Sequence, residues 1–244
     1  MEHIAIILPD LRPGGTERLT IDLAQGFLDR GAKVDIVLMQ KQGEFLDIVP
    51  RGARVIDLGV ERLRSAVLPI RRYLSAERPS AVLAAMWPLT AISVLAATGL
   101  SHRPRVVVSD HCPLEWQYAS NWKNRLALTA SIRVAYPSAD AVVAVSNGLS
   151  SELAGLARLS FNRISTVYNP IPSPLRSGKG KVDWGPHKGA RILSVGSLKA
   201  VKNHALLLRA FAPLANAGEA VLAIVGTGPE EDAIKALAAE LGLG

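Results

Sequence analysis

A single cysteine, Cys112, leaves this chain no partner for an intramolecular disulfide and no multi-cysteine metal site, and a reducing compartment is the simple expectation. Aromatic residues are few, at 5%, but hydrophobic residues make up 49% of the 244 positions, which is ample for a buried core and excludes disordered and fibrous classes. No Asp-x-Asp pair and no cluster of histidines and carboxylates points to a metal. No Gly-Lys-Ser/Thr ends a glycine loop, so a P-loop is absent, and the third glycine of the dinucleotide fingerprint is missing too. The start lacks a basic segment, and Ile4 to Leu8 read as a first strand, not as a signal peptide. One long uncharged run does occur, the nineteen residues Val82 to Leu100. Met86-Trp87-Pro88 interrupts it, and it is expected to resolve into a strand (81–86) and a buried helix (89–98), not a membrane span.

Acids are outnumbered. The formal net charge is +7, and Arg51, Arg54, Arg62, Arg64, Arg71, Arg72 and Arg78 fall among only three acids, Asp57, Glu61 and Glu77. Such a surface attracts anionic lipid, nucleic acid or phosphorylated substrates, and a plainly solvated basic face fits it equally well. Nucleic acid is the weakest of these, because no helix-turn-helix and no aromatic-basic strand pattern accompanies the cations.

The first 168 residues alternate strand and helix. Strands are expected at 3–8, 33–38, 53–57, 81–85, 105–109, 141–145 and 164–167, and helices at 16–30, 64–75, 89–98, 121–136 and 148–155. Runs such as Val106-Val107-Val108 and Ala141 to Val145 suit strands covered on both faces, hence a doubly wound parallel sheet. A breaker-rich stretch, 169–189, reads as a connection between domains. The rhythm then restarts with strand 190–195, helix 203–216, strand 220–225 and helix 230–241, which is only part of a second domain.

Four turns bear chemistry. Gly14-Gly15 lies between the first strand and helix, where backbone can approach a ligand and helix N–H groups face an anion; Glu17 favours the helix dipole there, and a plain turn is the competing reading. Ser109-Asp110-His111-Cys112-Pro113 follows a central strand, at the sheet edge where such folds bind ligands, and His111 can hydrogen-bond or exchange a proton. His3, His102, His187 and His204 lack that position and are expected to be structural or exposed. In the second domain, Gly196-Ser197 leads to Lys202 at a helix entrance, and Gly226-Thr227-Gly228-Pro229 repeats the geometry with Pro229 opening a helix. Trp116, Trp122 and Arg125 mix indoles with a cation, suiting either a cleft wall or a membrane face.

Taken together, Pro-Gly-Gly-Thr-Glu (13–17), Val-Val-Ala-Val-Ser-Asn-Gly (142–148), Val-Tyr-Asn-Pro-Ile (167–171), Val-Gly-Ser-Leu-Lys-Ala-Val-Lys-Asn-His (195–204) and Val-Gly-Thr-Gly-Pro-Glu (225–230) resemble the retaining glycosyltransferases of family 4. The resemblance implies a GT-B fold of two Rossmann-like domains, here an acceptor-side domain (1–168), the linker 169–189 and an incomplete nucleotide-sugar domain (190–244). It implies that Gly14, Gly15, Lys202 and Ser197 face the donor diphosphate, that Gly226, Gly228 and Pro229 border the nucleoside pocket, and that His111 contacts the transferred sugar. Ser197 stands where similar enzymes place an arginine, and the family's later pair of glutamates does not occur. The resemblance further implies no obligatory cofactor, a UDP- or GDP-sugar as donor and a glycan or lipid-linked molecule as acceptor, on the cytoplasmic side; the cations and indoles add an anionic membrane surface as an expected partner, with ordinary surface as the competing reading. A nucleotide-sugar epimerase and a noncatalytic remnant that binds sugar nucleotides are the alternatives.

Overall fold

A computed structural model describes residues 1–118, 121–170, 184 and 189–243, and the chain divides into two compact units, Met1–Ser173 and Pro174–Gly244. Most of the breaker-rich connection 169–189 lies outside the described residues.

The first unit runs β1 (His3–Leu8), α1 (Gly15–Asp29), β2 (Lys33–Leu38), β3 (Arg54–Asp57), α2 (Val67–Glu77), β4 (Ala81–Ala85), α3 (Leu89–Ala97), β5 (Arg105–Asp110), α4 (Leu114–Tyr118), α5 (Trp122–Ala135), β6 (Ala141–Ala144), α6 (Asn147–Ala157) and β7 (Ile164–Thr166). Its seven strands form one parallel sheet in the order β3-β2-β1-β4-β5-β6-β7. Alternation along β1 sends Ala5 and Ile7 into the core under α2, α3, α5 and α6, and Ile6 and Leu8 into a second core under α1. Burial on both faces explains why these strands are apolar at nearly every position.

The strands fall where the sequence puts them, within a residue or so at each end. Two helical details differ. The second helix starts at Val67, after a 3-10 turn at Leu63–Ser65, instead of at 64. Pro69 is the reason: in a regular helix from 64 its ring would collide with the Ser65 carbonyl, whereas in a first turn its missing N–H costs nothing. The five-residue α4 is too short to show a period, and the sequence does not announce it. The uncharged run 82–100 forms β4 and α3, and no described helix is long and apolar enough to cross a membrane.

At the N-terminal ends of the strands lies Asp35, wholly buried on β2. Its carboxylate accepts hydrogen bonds from Arg54 Nε (3.0 Å) and Nη2 (2.7 Å) and from the Tyr73 hydroxyl (2.6 Å), and His3 Nε2 lies 2.9 Å away. Arg54 also reaches Glu77. Arg71 donates to the Ala96 and Thr98 carbonyls at the end of α3, at 3.1 and 2.6 Å. Two members of the arginine-rich segment are therefore occupied by the fold itself.

The second unit consists of β8 (Ala190–Val195), a 3-10 turn (Ala200–Lys202), α7 (His204–Asn216), β9 (Ala220–Val225) and α8 (Glu231–Glu240). Its two strands pair in parallel from Ala190↔Ala220 to Val195↔Val225. Leu198, Leu208, Phe211 and Leu237 are buried, while Leu193, Val195 and Val225 remain about half exposed or more, as expected of two βα units with few neighbours.

Candidate functional site

In the first unit, the turns at the C-terminal edge of the sheet converge around α1 and β5. The turn after β1 is rigid. Asp10 is buried, and its Oδ1 accepts the Arg12 amide (3.0 Å) while Oδ2 accepts Arg12 Nε (2.9 Å) and Nη2 (2.7 Å). Burial pushes the Asp10 carboxyl up, and the bonds from Arg12 outweigh it, holding the group below the usual carboxylate range.

This turn is clamped to the loop after β2. Leu11 N donates to the Gln42 carbonyl (2.9 Å), and Phe45 N donates to the Leu11 carbonyl (3.1 Å). The contact needs Gly43, at φ +114°, because a Cβ there would stand 2.1 Å from the Leu11 carbonyl carbon and 2.2 Å from Arg12 N. Gly14 is looser. It forms the extended N-cap of α1, and the nearest atoms a Cβ on it would meet are those of the Glu17 carboxylate, the closest 2.1 Å away, while one on Gly15 meets nothing within 4 Å. The two glycines that attract attention in the sequence are thus spared for whatever approaches from outside, and Gly43 shapes the turn. Gly43→Ala is expected to destabilise the protein by about 2–3 kcal/mol, through a backbone collision that no rotamer relieves. Gly14→Ala should cost under about 1 kcal/mol, since a flexible side chain yields. Urea denaturation of the two variants checks the ordering.

His111 follows β5, and the strand's alternation places it on the same face as Ser109, with Nε2 3.2 Å from Ser109 Oγ. It borders a mainly apolar cavity of about 180 Å³ lined by Leu19 and Leu23 of α1, Leu83 of β4, Val143 of β6, and Tyr168 and Asn169 beyond β7. Burial pushes the imidazole below its ordinary range, with Asn169 opposing, so near neutral pH the ring is uncharged. Among the described residues its Nδ1 has no hydrogen-bonding partner. A neutral ring of this kind can donate from one nitrogen and accept at the other.

Asp110, one residue earlier, faces the helix layer and is wholly buried. The Tyr136 hydroxyl donates to its Oδ2 at 2.5 Å and lies 2.9 Å from Thr90 Oγ1, which ties the end of β5 to α3 and to the turn after α5. Burial pushes the Asp110 carboxyl up to about 7, helped by Glu152 and opposed by Tyr136. The same burial pushes the Cys112 thiol up to about 11, so it is protonated and unreactive near neutral pH. Sequence reading singles out His111 and passes over its anchor, because β5 carries Arg105, Ser109 and Asp110 as polar residues and the pattern alone does not say which of them faces the core.

Trp116, Trp122 and Arg125 do not line the His111 cavity. The two indoles are 67% and 71% exposed, and Arg125 pairs with Glu115 at 3.1 Å.

In the second unit the two glycine turns are bonded to each other. Gly196 N donates to the Val225 carbonyl (3.0 Å), Leu198 N to the Thr227 carbonyl (2.9 Å) and Glu230 N to the Leu198 carbonyl (3.0 Å). A Cβ on Gly226 would lie 1.9 Å from the Gly196 carbonyl oxygen, and one on Gly228 would lie 2.4 Å from that of Leu198. Lys202 ends the 3-10 turn, two residues before α7 begins, so it is not in the helix's first turn. Asn203, at φ 51°, separates them and caps α7 by accepting the Leu206 amide. The Lys202 stem nevertheless lies over the first turn, since a Cβ on Gly196 would stand 3.9 Å from Lys202 Cε. Ser197 is adjacent. Pro229 precedes α8 instead of opening it: Glu230 is the N-cap, its carbonyl accepting the Ile234 amide at 2.9 Å, and the helix begins at Glu231. No group of three or more metal-ligating side chains occurs among the described residues.

A family profile described as Glycosyltransferase Family 4 matches residues 13–173, and a second, Glycosyl transferases group 1, matches residues 182–244. The chain is 33% identical over 149 residues to the N-acetylgalactosamine-N,N'-diacetylbacillosaminyl-diphospho-undecaprenol 4-alpha-N-acetylgalactosaminyltransferase of Campylobacter jejuni, an alignment covering 61% of this chain and 40% of that protein. Among solved structures, Anabaena Alr3699/HepE in complex with UDP and glucose superposes with a TM-score of 0.72 at 18% identity, over 100% of this chain and 67% of that one. WaaG, a glycosyltransferase involved in lipopolysaccharide biosynthesis, gives 0.68 at 16% identity, over 98% and 67%. The chain thus spans less than half of the curated relative and about two thirds of the structures it resembles.

Proposed function

We infer the function from the family: the chain belongs to Glycosyltransferase Family 4, with the GT-B fold class of two Rossmann-like parallel-sheet units, the second of them small. We propose that it acts in retaining transfer of a sugar from a nucleotide-diphosphate-sugar to an acceptor hydroxyl of a glycan or glycolipid. The observation that carries this is the bonded pair of glycine turns in the second unit, with the Lys202 stem lying over Gly196.

In this reading Lys202 supplies the point charge for the donor diphosphate, and Ser197 and the backbone around Gly196 supply hydrogen bonds. Charge growing on the departing diphosphate is met by groups already in place, the economical form of electrostatic catalysis. Gly226, Gly228 and Pro229 border the nucleoside, and Gly14 and Gly15 present the N-terminus of α1 to phosphate. His111, neutral and wedged against Ser109, positions hydroxyls of the transferred sugar. The acceptor hydroxyl attacks from the side of the leaving group, so the anomeric configuration is kept.

Isothermal titration of the 244-residue protein against UDP, GDP and their sugars tests the reading. Saturable binding to one nucleotide is expected, weakened about tenfold by Lys202→Ala through loss of a charge-assisted hydrogen bond. His111→Ala should leave nucleotide affinity within about threefold, because its role is at the sugar. A folded protein that binds none of these ligands refutes the assignment of the turns.

A further inference from the structure

Two aspartates of the first unit are wholly buried, and they are provided for differently. Asp35 accepts from the Arg54 guanidinium as well as from Tyr73, and is ionised. Asp110 has one neutral partner, the Tyr136 hydroxyl on Oδ2, and its Oδ1 has none among the described residues. The titratable groups that bear on Asp110 are Glu152 of α6, Tyr136 after α5, the Cys112 thiol and Tyr118 of α4, and no cation stands among them. Glu152 is fixed in place, because its Oε1 accepts the Glu115 amide at the start of α4 (2.8 Å). His111 lies on the other face and is uncharged near neutral pH. One neutral donor does not offset the lost hydration of a carboxylate, and such a group keeps its proton instead. The hydroxyls beside it accommodate that proton. Tyr136 stands between Asp110 Oδ2 (2.5 Å) and Thr90 Oγ1 (2.9 Å) and has a single hydrogen to give. With Asp110 protonated on Oδ2, the acid donates to Tyr136 and Tyr136 to Thr90; with Asp110 ionised, Thr90 donates to Tyr136 and Tyr136 to Asp110. Only the first arrangement leaves no buried charge.

We propose that Asp110 is a positioning residue for His111: as the neutral acid it locks the end of β5 to α3 and to the turn after α5, and on losing its proton it frees that end of the strand and the imidazole beside it. Ionisation would set a charge where water does not reach. Relief comes from turning the carboxylate out of the helix layer, which breaks its bond to Tyr136 and rotates the backbone that carries His111. The burial that raises the carboxyl to about 7 brings this event close to neutral pH. Burial acts on the His111 ring in the opposite sense, pushing its own protonation below the ordinary range, so the two events are separable. The inference rests on the reading of His111 as the contact to the transferred sugar for its consequence alone: sugar positioning weakens as pH rises through neutrality.

The test uses the 244-residue protein between about pH 5 and 9. Infrared spectra read the carbonyl stretch of a protonated carboxyl, and NMR reads the histidine rings, with His111→Gln identifying the signal of that ring. A carboxylic-acid band is expected at about pH 6, where exposed carboxyls are ionised, and should fall by half near about pH 7. Asp110→Asn should lack the band. The His111 signal should move over the same interval in the parent protein and stay fixed there in Asp110→Asn. Tyr136→Phe removes the one bond that favours the charged form, so both transitions should shift upward by about one pH unit; this identifies the band without the Asn variant, should that variant not fold. Absence of a band at about pH 6, a band whose transition Tyr136→Phe leaves unmoved, or a His111 signal that does not respond as the band disappears would each overturn the proposal. Neither readout uses a nucleotide, so failure of the donor assignment is told apart. Where both transitions occur but the extra affinity of a nucleotide-sugar over its bare nucleotide stays constant across them, the positioning role stands and the sugar contact assigned to His111 is refuted.

Discussion

Gly226→Ala is expected to abolish amide protection of β8 and β9 in hydrogen exchange while leaving the seven-stranded sheet protected. The added methyl would stand 1.9 Å from the Gly196 carbonyl oxygen, well inside contact distance, and that oxygen belongs to backbone, so no rotamer moves it away. Relief requires the two turns to part. Parting them removes the bonds Gly196 N to Val225 O and Leu198 N to Thr227 O, which close the open end of the strand pair. In a large domain such strain is shared among many neighbours. Among the described residues of this unit the strands have each other and two helices, so a cost on the order of 3–4 kcal/mol falls on few neighbours. Gly218→Ala provides the control: its φ of +71° makes alanine strained, but no atom lies within 4 Å of the new methyl. That variant should lose about 1 kcal/mol and keep its protection. Nucleotide binding should follow the same division, lost in the first variant and retained in the second.

The contrast shows what a linear reading of this chain yields. Nearly continuous apolar runs marked the strands, because a sheet buried on both faces leaves few polar positions, and the crossovers between them then required helices. Gly14-Gly15, Gly196 and Gly226 were visible as punctuation between elements. Their different tightness was not, because it depends on which backbone lies opposite. Gly43 sits in the polar stretch Gln40-Lys41-Gln42 with no pattern around it, and its importance comes from Leu11, 32 positions away. Lys202 lies at the entrance of α7 as expected, directly before its cap Asn203, whereas Pro229 precedes the cap Glu230 and does not open α8. The bond from Glu230 N to the Leu198 carbonyl joins two loops, and such contacts carry no period. His111 was legible from its place after a central strand; Asp110, Tyr136 and Thr90 behind it became legible only once the register of β5 and β6 set which face each side chain takes.

Asp35→Ala should be among the most costly substitutions in the first unit, at about 3 kcal/mol or more by urea denaturation at neutral pH. Removing the carboxylate leaves the Tyr73 hydroxyl and His3 without their acceptor and strands the inner side of Arg54. The loss sits toward the lower end for a broken buried ion pair, because Arg54 is 42% exposed and can still reach Glu77 and water. The pH dependence separates this account from a simple packing defect. Burial raises the Asp35 carboxyl, but the bonds from Arg54, Tyr73 and His3 prevail and bring it down to about 2 from an ordinary 3.8. A group whose folded value is depressed stabilises the protein fully above its unfolded value and loses that contribution as pH falls through the folded one. The stability gap between the parent protein and Asp35→Asn should therefore be constant above about pH 5 and narrow between about pH 4 and 2, by roughly 2 kcal/mol. A gap that stays constant down to pH 2 would mean that packing, and not the carboxylate's charge, holds this end of the sheet.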